Sequence, residues 1–157
     1  MEASQPRVVT PEQILPILER YFAAGTAFPL VITGFSMTPF LVSGRDRVLL
    51  RPAPDRLRRG DIAFYRRTSG RLVLHRVIRV APEGYYFVGD AQSDIEGPIS
   101  PTQILAIADE AQRKGRVQRA GCFWWEFFRH VWPVLLPVRR PIMRLYARLL
   151  HRGPAEN

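Results

Sequence analysis

The sequence predicts a mainly β domain, a coiled sheet or small barrel, preceded by one helix and followed by an amphipathic helical tail. Three observations predict it. An apolar stripe at helical spacing occupies residues 14–22. Short β-rich runs separated by Gly, Pro and Asp turns fill residues 28–120. From Gly121 onward, aromatic residues crowd together and then give way to aliphatics interleaved with arginine. The 157 residues and their 46% hydrophobic content suit one packed domain with a terminal extension. The expected organisation is a helix in 1–27, a β domain in 28–120 and a tail in 121–157.

Thr10-Pro11-Glu12-Gln13 reads as a helix start, with Thr10 as cap, Pro11 at the first helical position and Gln13 completing a capping box. Ile14, Leu15, Leu18, Tyr21 and Phe22 form the stripe, a docking face for the core. Pro16 should kink or fray the early turns, and Gly25 should stop the helix. Strands are then expected over 30–33, 48–51, 62–66, 72–80, 85–88 and 105–111. Ser69-Gly70, Glu83-Gly84 and Lys114-Gly115 supply turns, and Ser100-Pro101-Thr102-Gln103 opens one helical turn.

Phe123, Trp124, Trp125, Phe127, Phe128 and Trp132 precede prolines 133, 137 and 141. Arg144 and Arg148 then alternate with apolar residues. Aromatics and aliphatics suit the acyl boundary of a bilayer and arginines suit lipid phosphates, so an anionic membrane surface is an expected partner of the tail. Folding back onto the β domain is the alternative. On the first reading a chain ending at Ala120 stays soluble and loses vesicle binding. The formal charge of +9 favours anionic partners in general. The aromatics, however, lack the pattern of a single-strand-binding surface, which argues against nucleic acid. Residues 1–10 are polar and lack an apolar signal core, so the expected location is cytoplasmic or peripheral on the cytoplasmic membrane, not secreted. The single cysteine, Cys122, rules out an internal disulfide framework and a cysteine-based zinc site. No metal or organic cofactor is expected.

The chemistry-bearing residues are a serine box, Gly34-Phe35-Ser36-Met37-Thr38-Pro39, and a histidine box, Leu74-His75-Arg76-Val77. Ser36 follows a predicted strand where the backbone turns. Gly34 permits close approach of a substrate, and nearby N–H groups can form an oxyanion hole. A serine nucleophile needs a neutral base. Lys114 is the only lysine, and arginine stays charged in proteins, so His75 is the better base for Ser36. In Gly89-Asp90-Ala91-Gln92-Ser93-Asp94, either aspartate can orient the other ring nitrogen. Asp94 is preferred and Asp90 is the alternative, because the Asp of a Gly-Asp pair more often closes the turn.

In order and spacing, the serine box, Gly60-Asp61-Ile62-Ala63-Phe64-Tyr65, His75-Arg76-Val77 and Gly89-Asp90 resemble the signal peptidase and LexA-type serine peptidase superfamily. The histidine places the resemblance nearest the Ser/His archaeal and endoplasmic-reticulum type of signal peptidase. The resemblance implies that coiled β fold and a serine endopeptidase that removes a leader or signal segment from an extended peptide. It implies Ser36 as nucleophile, His75 as general base, an Asp after Gly89 as orienting acid and Asp61 at a structural turn. Gly34, Phe35 and Met37 complete the expected oxyanion and substrate-binding set. Gly34 stands where signal peptidases usually carry a hydroxyl residue, which leaves the hole to backbone N–H groups, with Thr33 as a helper. No apolar N-terminal anchor is expected, the aromatic tail being its candidate replacement. Two rival functions are a LexA-type autoprotease or regulator, and a non-catalytic peptide- or membrane-binding module on the same fold.

Overall fold

Ile14 and Leu18 drive the first helix into the core, and Phe22 packs beside them while Ile17 and Tyr21 face outward. The computed structural model describes residues 11–151. Helix α1 spans Pro11–Ala23; the Thr10 cap lies outside the described residues. The helix runs unbroken through Pro16, since anchored residues flank the proline on both sides. Gly25 ends it at φ +67°: its N–H donates to Phe22 O, and Thr26 N–H donates to Tyr21 O. This left-handed glycine cap satisfies carbonyls that the last turn would otherwise leave open.

The β domain contains β1 (Phe28–Val31), β2 (Arg47–Arg51), β3 (Ile62–Arg66), β4 (Leu72–Ala81), β5 (Gly84–Val88), β6 (Glu96–Ile99), β7 (Ile104–Arg113) and β8 (Arg116–Arg119). They form one antiparallel sheet of eight strands in the order β1-β2-β7-β3-β4-β5-β6, with β8 paired to β7. β1 and β6 are its two ends, so the sheet is open; a closed barrel is not formed. Register shifts at Leu49/Leu50, Phe64/Tyr65, Val77/Arg79 and Tyr85/Phe87 coil it.

Two strands were not legible in the sequence. β6 carries Gly97-Pro98, which reads as a break. It survives because an edge strand needs no donor on its outer side. β8 is polar and follows a hairpin turn in which Lys114 (φ +48°) and Gly115 (φ +74°) both adopt positive φ.

Alternation along β3 separates two apolar clusters. Ile62 and Phe64 belong to one, Ala63 and Tyr65 to the other, so the clusters lie on opposite faces of the sheet. The first cluster also takes in α1, Met37, Phe40 and three residues from beyond Gly121: Trp125, Phe128 and Trp132. Phe40 meets Trp125 edge-on at 5.8 Å and Phe128 at 4.9 Å between ring centroids. The tail is therefore part of the core through α2 (Phe123–Glu126) and the irregular helical turns up to Val138. α3 (Arg139–His151) follows. This corrects the picture of a separable extension. Losing one such buried aromatic costs roughly 3–5 kcal/mol. Losing all three would consume most of a stability of about 5–15 kcal/mol. A chain ending at Ala120 thus lacks an essential layer of its core.

Candidate active site

The serine turn is built by one glycine and two anchors. Gly34 has φ +79° with open space around the position of a Cβ, so its role is conformational freedom rather than close packing. Met37 is 3% exposed and Phe40 is fully buried; together they fasten the turn to the first cluster. The Met37 side chain is therefore unavailable to a substrate, contrary to expectation, whereas Phe35 is 77% exposed beside Ser36. Ser36 is half-buried. Thr38 N–H is committed to Phe35 O, and the N–H groups of Ser36 and Met37 donate to no described residue.

His75 is 3% exposed in β4, opposite Ala63 of β3, so it faces the second cluster. Burial is the main reason that its imidazole is pulled from the usual 6.5 down to about 4. Glu96 and Asp90 oppose the shift and Arg67 reinforces it. The ring is neutral at pH 7. A depressed histidine stabilises the fold above its unfolded value, and that stabilisation fades as pH falls from about 6.5 toward about 4. Nδ1 lies 3.3 Å from the Tyr65 hydroxyl and 3.8 Å from Glu96 Oε2. Because the ring is neutral, the latter contact is not an ion pair at pH 7. Nε2 bonds no described residue and is not sealed from solvent as an unsatisfied buried atom.

The turn at residues 89–92 ties these two places together. It begins one residue past Val88, which pairs with Arg76, the neighbour of His75. Ala91 N–H donates to Ser36 O at 2.8 Å. A Cβ on Gly89 would lie 2.5 Å from the same carbonyl oxygen, so only glycine permits the approach. Among the described residues no hydrogen bond joins Ser36 Oγ to His75. The turn ties the serine segment to the end of β5, beside the middle of β4. Met37 and Phe40, however, hold that segment to the first cluster while His75 faces the second, and the Ser36 and His75 side chains are not joined.

Neither expected aspartate orients His75. Asp94 is 94% exposed at its side chain and pairs with Arg140 at 3.5 Å. Asp90 is fully buried, but both its oxygens are taken by Arg76, from Nε at 2.9 Å and Nη2 at 2.8 Å. Arg76 Nη1 also donates to Gly60 O at 3.0 Å. The carboxylate that faces Nδ1 is Glu96, held bidentately by Arg67 with both contacts at 2.6 Å and reached by the Tyr65 hydroxyl at 3.1 Å. Burial alone would raise the Glu96 carboxyl. The hydrogen bonds and charge of Arg67, with Tyr65 assisting, outweigh it and hold the group below its ordinary value. Sequence reasoning missed Tyr65, Arg67 and Glu96. Only the β3–β4 register, which pairs Ala63 with His75, puts Tyr65 on the His75 face, and nothing in the sequence pointed to Glu96, two residues past Asp94.

The tail closes over the turn. Trp132 Nε1 donates to Asp90 O at 2.8 Å. Arg139, 1% exposed, donates from Nη1 to Gly89 O and Gln92 O at 3.1 and 2.9 Å and from Nη2 to Trp132 O at 3.0 Å. Asp61 sits at a turn as expected: it accepts from Arg58 N–H at 2.7 Å and pairs with Arg129 at 3.1 Å. Lys114 is exposed in the β7–β8 turn. No family model, curated protein or solved structure matches this chain.

Asp90→Ala should cost roughly 3–5 kcal/mol in urea unfolding, because it strands a buried guanidinium. The double variant Arg76→Met/Asp90→Leu should recover much of that loss, and Asp94→Ala should leave the unfolding midpoint unchanged. An Asp94→Ala loss as large as that of Asp90→Ala would contradict the assignment of the two aspartates.

Proposed function

We propose that this chain is a serine endopeptidase of the signal-peptidase-like Ser/His kind, cleaving an extended peptide such as a leader or signal segment. The observation that carries the reading is a buried, neutral imidazole whose Nε2 bonds no described residue, in the strand beside the turn to which the Ser36 backbone is tied. Ser36 Oγ attacks the scissile carbonyl carbon while its proton passes to His75 Nε2. The carbonyl electron pair moves onto oxygen, and the amides of Ser36 and Met37 are the donors left to receive it. Collapse of the intermediate breaks the C–N bond, and the imidazolium returns the proton to the leaving amine. Water then hydrolyses the acyl-enzyme by the same proton route. The Ser36 and His75 side chains are not joined in the free chain, so on this reading they meet only when peptide binds, the stage at which catalytic hydrogen bonds commonly form or tighten. Phe35 offers an apolar contact to a residue flanking the scissile bond. The extended substrate would add along a strand edge.

In a survey of unstructured peptides read by mass spectrometry, Ser36→Ala and His75→Ala should each lower cleavage by roughly three to four orders of magnitude. Lys114→Ala should match the unaltered chain. Since the base must be neutral, kcat/KM should hold from pH 7 to about pH 5 and be half lost near about 4. Undiminished cleavage by Ser36→Ala, or half-loss near the ordinary 6.5, would contradict this reading.

We further propose that α3 rests on an anionic membrane surface. Ile142 and Met143 pack inward, while Leu145 and Leu149 are 59% and 60% exposed. Arg140, Arg144 and Arg148 recur at one-turn spacing beside them and are exposed. Such a helix can sink its leucines partway and keep its guanidinium groups among phosphates. Among the described residues no helix is long and apolar enough to cross a membrane. The full chain should co-float with vesicles containing phosphatidylglycerol at low salt. Leu145→Glu/Leu149→Glu should abolish this without loss of thermal stability, and high salt should weaken it. Equal flotation of the double variant would exclude this face.

A further inference from the structure

The protons around His75 can be counted. Glu96 is ionised and carries none, yet its Oε2 lies 3.1 Å from the Tyr65 hydroxyl oxygen. Two oxygens that close need a proton between them, and only Tyr65 can supply it. Its single hydroxyl proton is then spent on Glu96. The remaining contact, 3.3 Å from the same oxygen to His75 Nδ1, must take its proton from the imidazole. The neutral ring thus carries its proton on Nδ1 and its lone pair on Nε2. Arg67 supports the arrangement from behind, because its two hydrogen bonds keep Glu96 ionised and fixed in orientation. Tyr65 is held in turn by stacking on Phe87, with ring centroids 4.4 Å apart. Burial and the Glu96 charge both push its phenol up, so it stays a donor throughout.

We propose that Tyr65 and Glu96 are positioning residues for His75: a hydroxyl bridge, backed by a carboxylate that Arg67 clamps, fixes the tautomer that leaves Nε2 free to take the Ser36 proton. The inference rests on the peptidase reading for its consequence, but its geometry stands apart from activity. When Nε2 gains the serine proton, the Nδ1 proton stays in place, donated to Tyr65. The Glu96 charge then stabilises the imidazolium through the phenol. No second proton moves. The charged and titratable groups around the ring are Tyr65 on β3, Arg67 just after it, Asp90 after β5 and Glu96 on β6. Asp90 is engaged by Arg76, which leaves Glu96 as the carboxylate behind the ring.

Nitrogen-15 NMR of the imidazole in the full-length protein tests this directly. At pH 7, His75 should show a protonated Nδ1 and an unprotonated Nε2. Tyr65→Phe keeps the ring stack but removes the bridge, so the Nε2–H tautomer should appear. Glu96→Gln keeps an acceptor but removes the charge. Because Glu96 raises the His75 value, the acid limb of kcat/KM should then move to lower pH. Each variant should lower kcat by roughly ten- to a hundredfold, as loss of an outer partner of a metal-bound histidine does, and less than the roughly 10⁴ lost when a carboxylate in direct contact with a catalytic histidine is replaced. KM should change little. A native ring in the Nε2–H form, or a Tyr65→Phe variant with unchanged tautomer, overturns the proposal even if Ser36-dependent cleavage is found. The expected tautomers without any Ser36-dependent cleavage would uphold the bridge and sink the peptidase reading instead.

Discussion

The buried Arg76–Asp90 ion pair is the interaction on which the rest of the arrangement depends. Both side chains are almost fully removed from water, which is costly for two ions unless every hydrogen-bonding group is used. Here it nearly is. Arg76 spends three nitrogens on Asp90 and Gly60 O, and its guanidinium lies 5.3 Å from the centroid of the Phe40 ring. The pair joins β4, which carries His75, to the turn that holds Ser36 O. Trp132 and Arg139 then occupy the carbonyls of that turn, so the C-terminal segment completes the candidate site rather than merely following it. Among the described residues Arg139 Nε is buried without a partner, a cost accepted next to three satisfied contacts. A charged side chain inserted from so far along the chain couples the packing of the tail to the geometry of the serine turn.

Two opposing influences act on His75, and their balance gives the site its character. Desolvation favours the neutral ring, while Glu96 and Asp90 favour the charged one; desolvation wins. The result is a base that is already unprotonated at neutral pH but weak. Placing a carboxylate behind a phenol, rather than against the ring, keeps the carboxylate's influence moderate: an acid in direct contact would raise the imidazole further and favour its charged form at rest. Arg67 contributes to the same balance, since it neutralises part of the Glu96 field that the ring would otherwise feel.

Much of the fold was legible in the sequence because its signals are local. The stripe in α1, the Gly25 cap, and strands β2, β3, β4, β5 and β7 follow from periodicity and turn residues. Their observed limits differ from expectation by a few residues at most. β6 and β8 were hidden because tertiary pairing overrode local preference: Gly97-Pro98 at a sheet edge and the polar Arg116–Arg119 read as connections. The aromatic tail showed its amphipathic character but not which aromatics are inside, since burial of Trp125, Phe128 and Trp132 depends on Phe40, far away in the chain. Ser36 and His75 could be chosen from their boxes. The partner of His75 could not, because a carboxylate acting through a tyrosine leaves no spacing rule, and because the more obvious aspartates had other tasks. Asp90 serves a buried arginine and Asp94 a surface one.

Activation of Ser36 by His75, as proposed, can be read by covalent labelling. A fluorophosphonate probe incubated with the full-length protein at pH 7 should form one adduct, located on Ser36 by peptide mass spectrometry. The rate of its formation should collapse in His75→Ala while the protein remains folded. An adduct on another serine, or labelling of Ser36 that proceeds equally fast without His75, would rule out that activation.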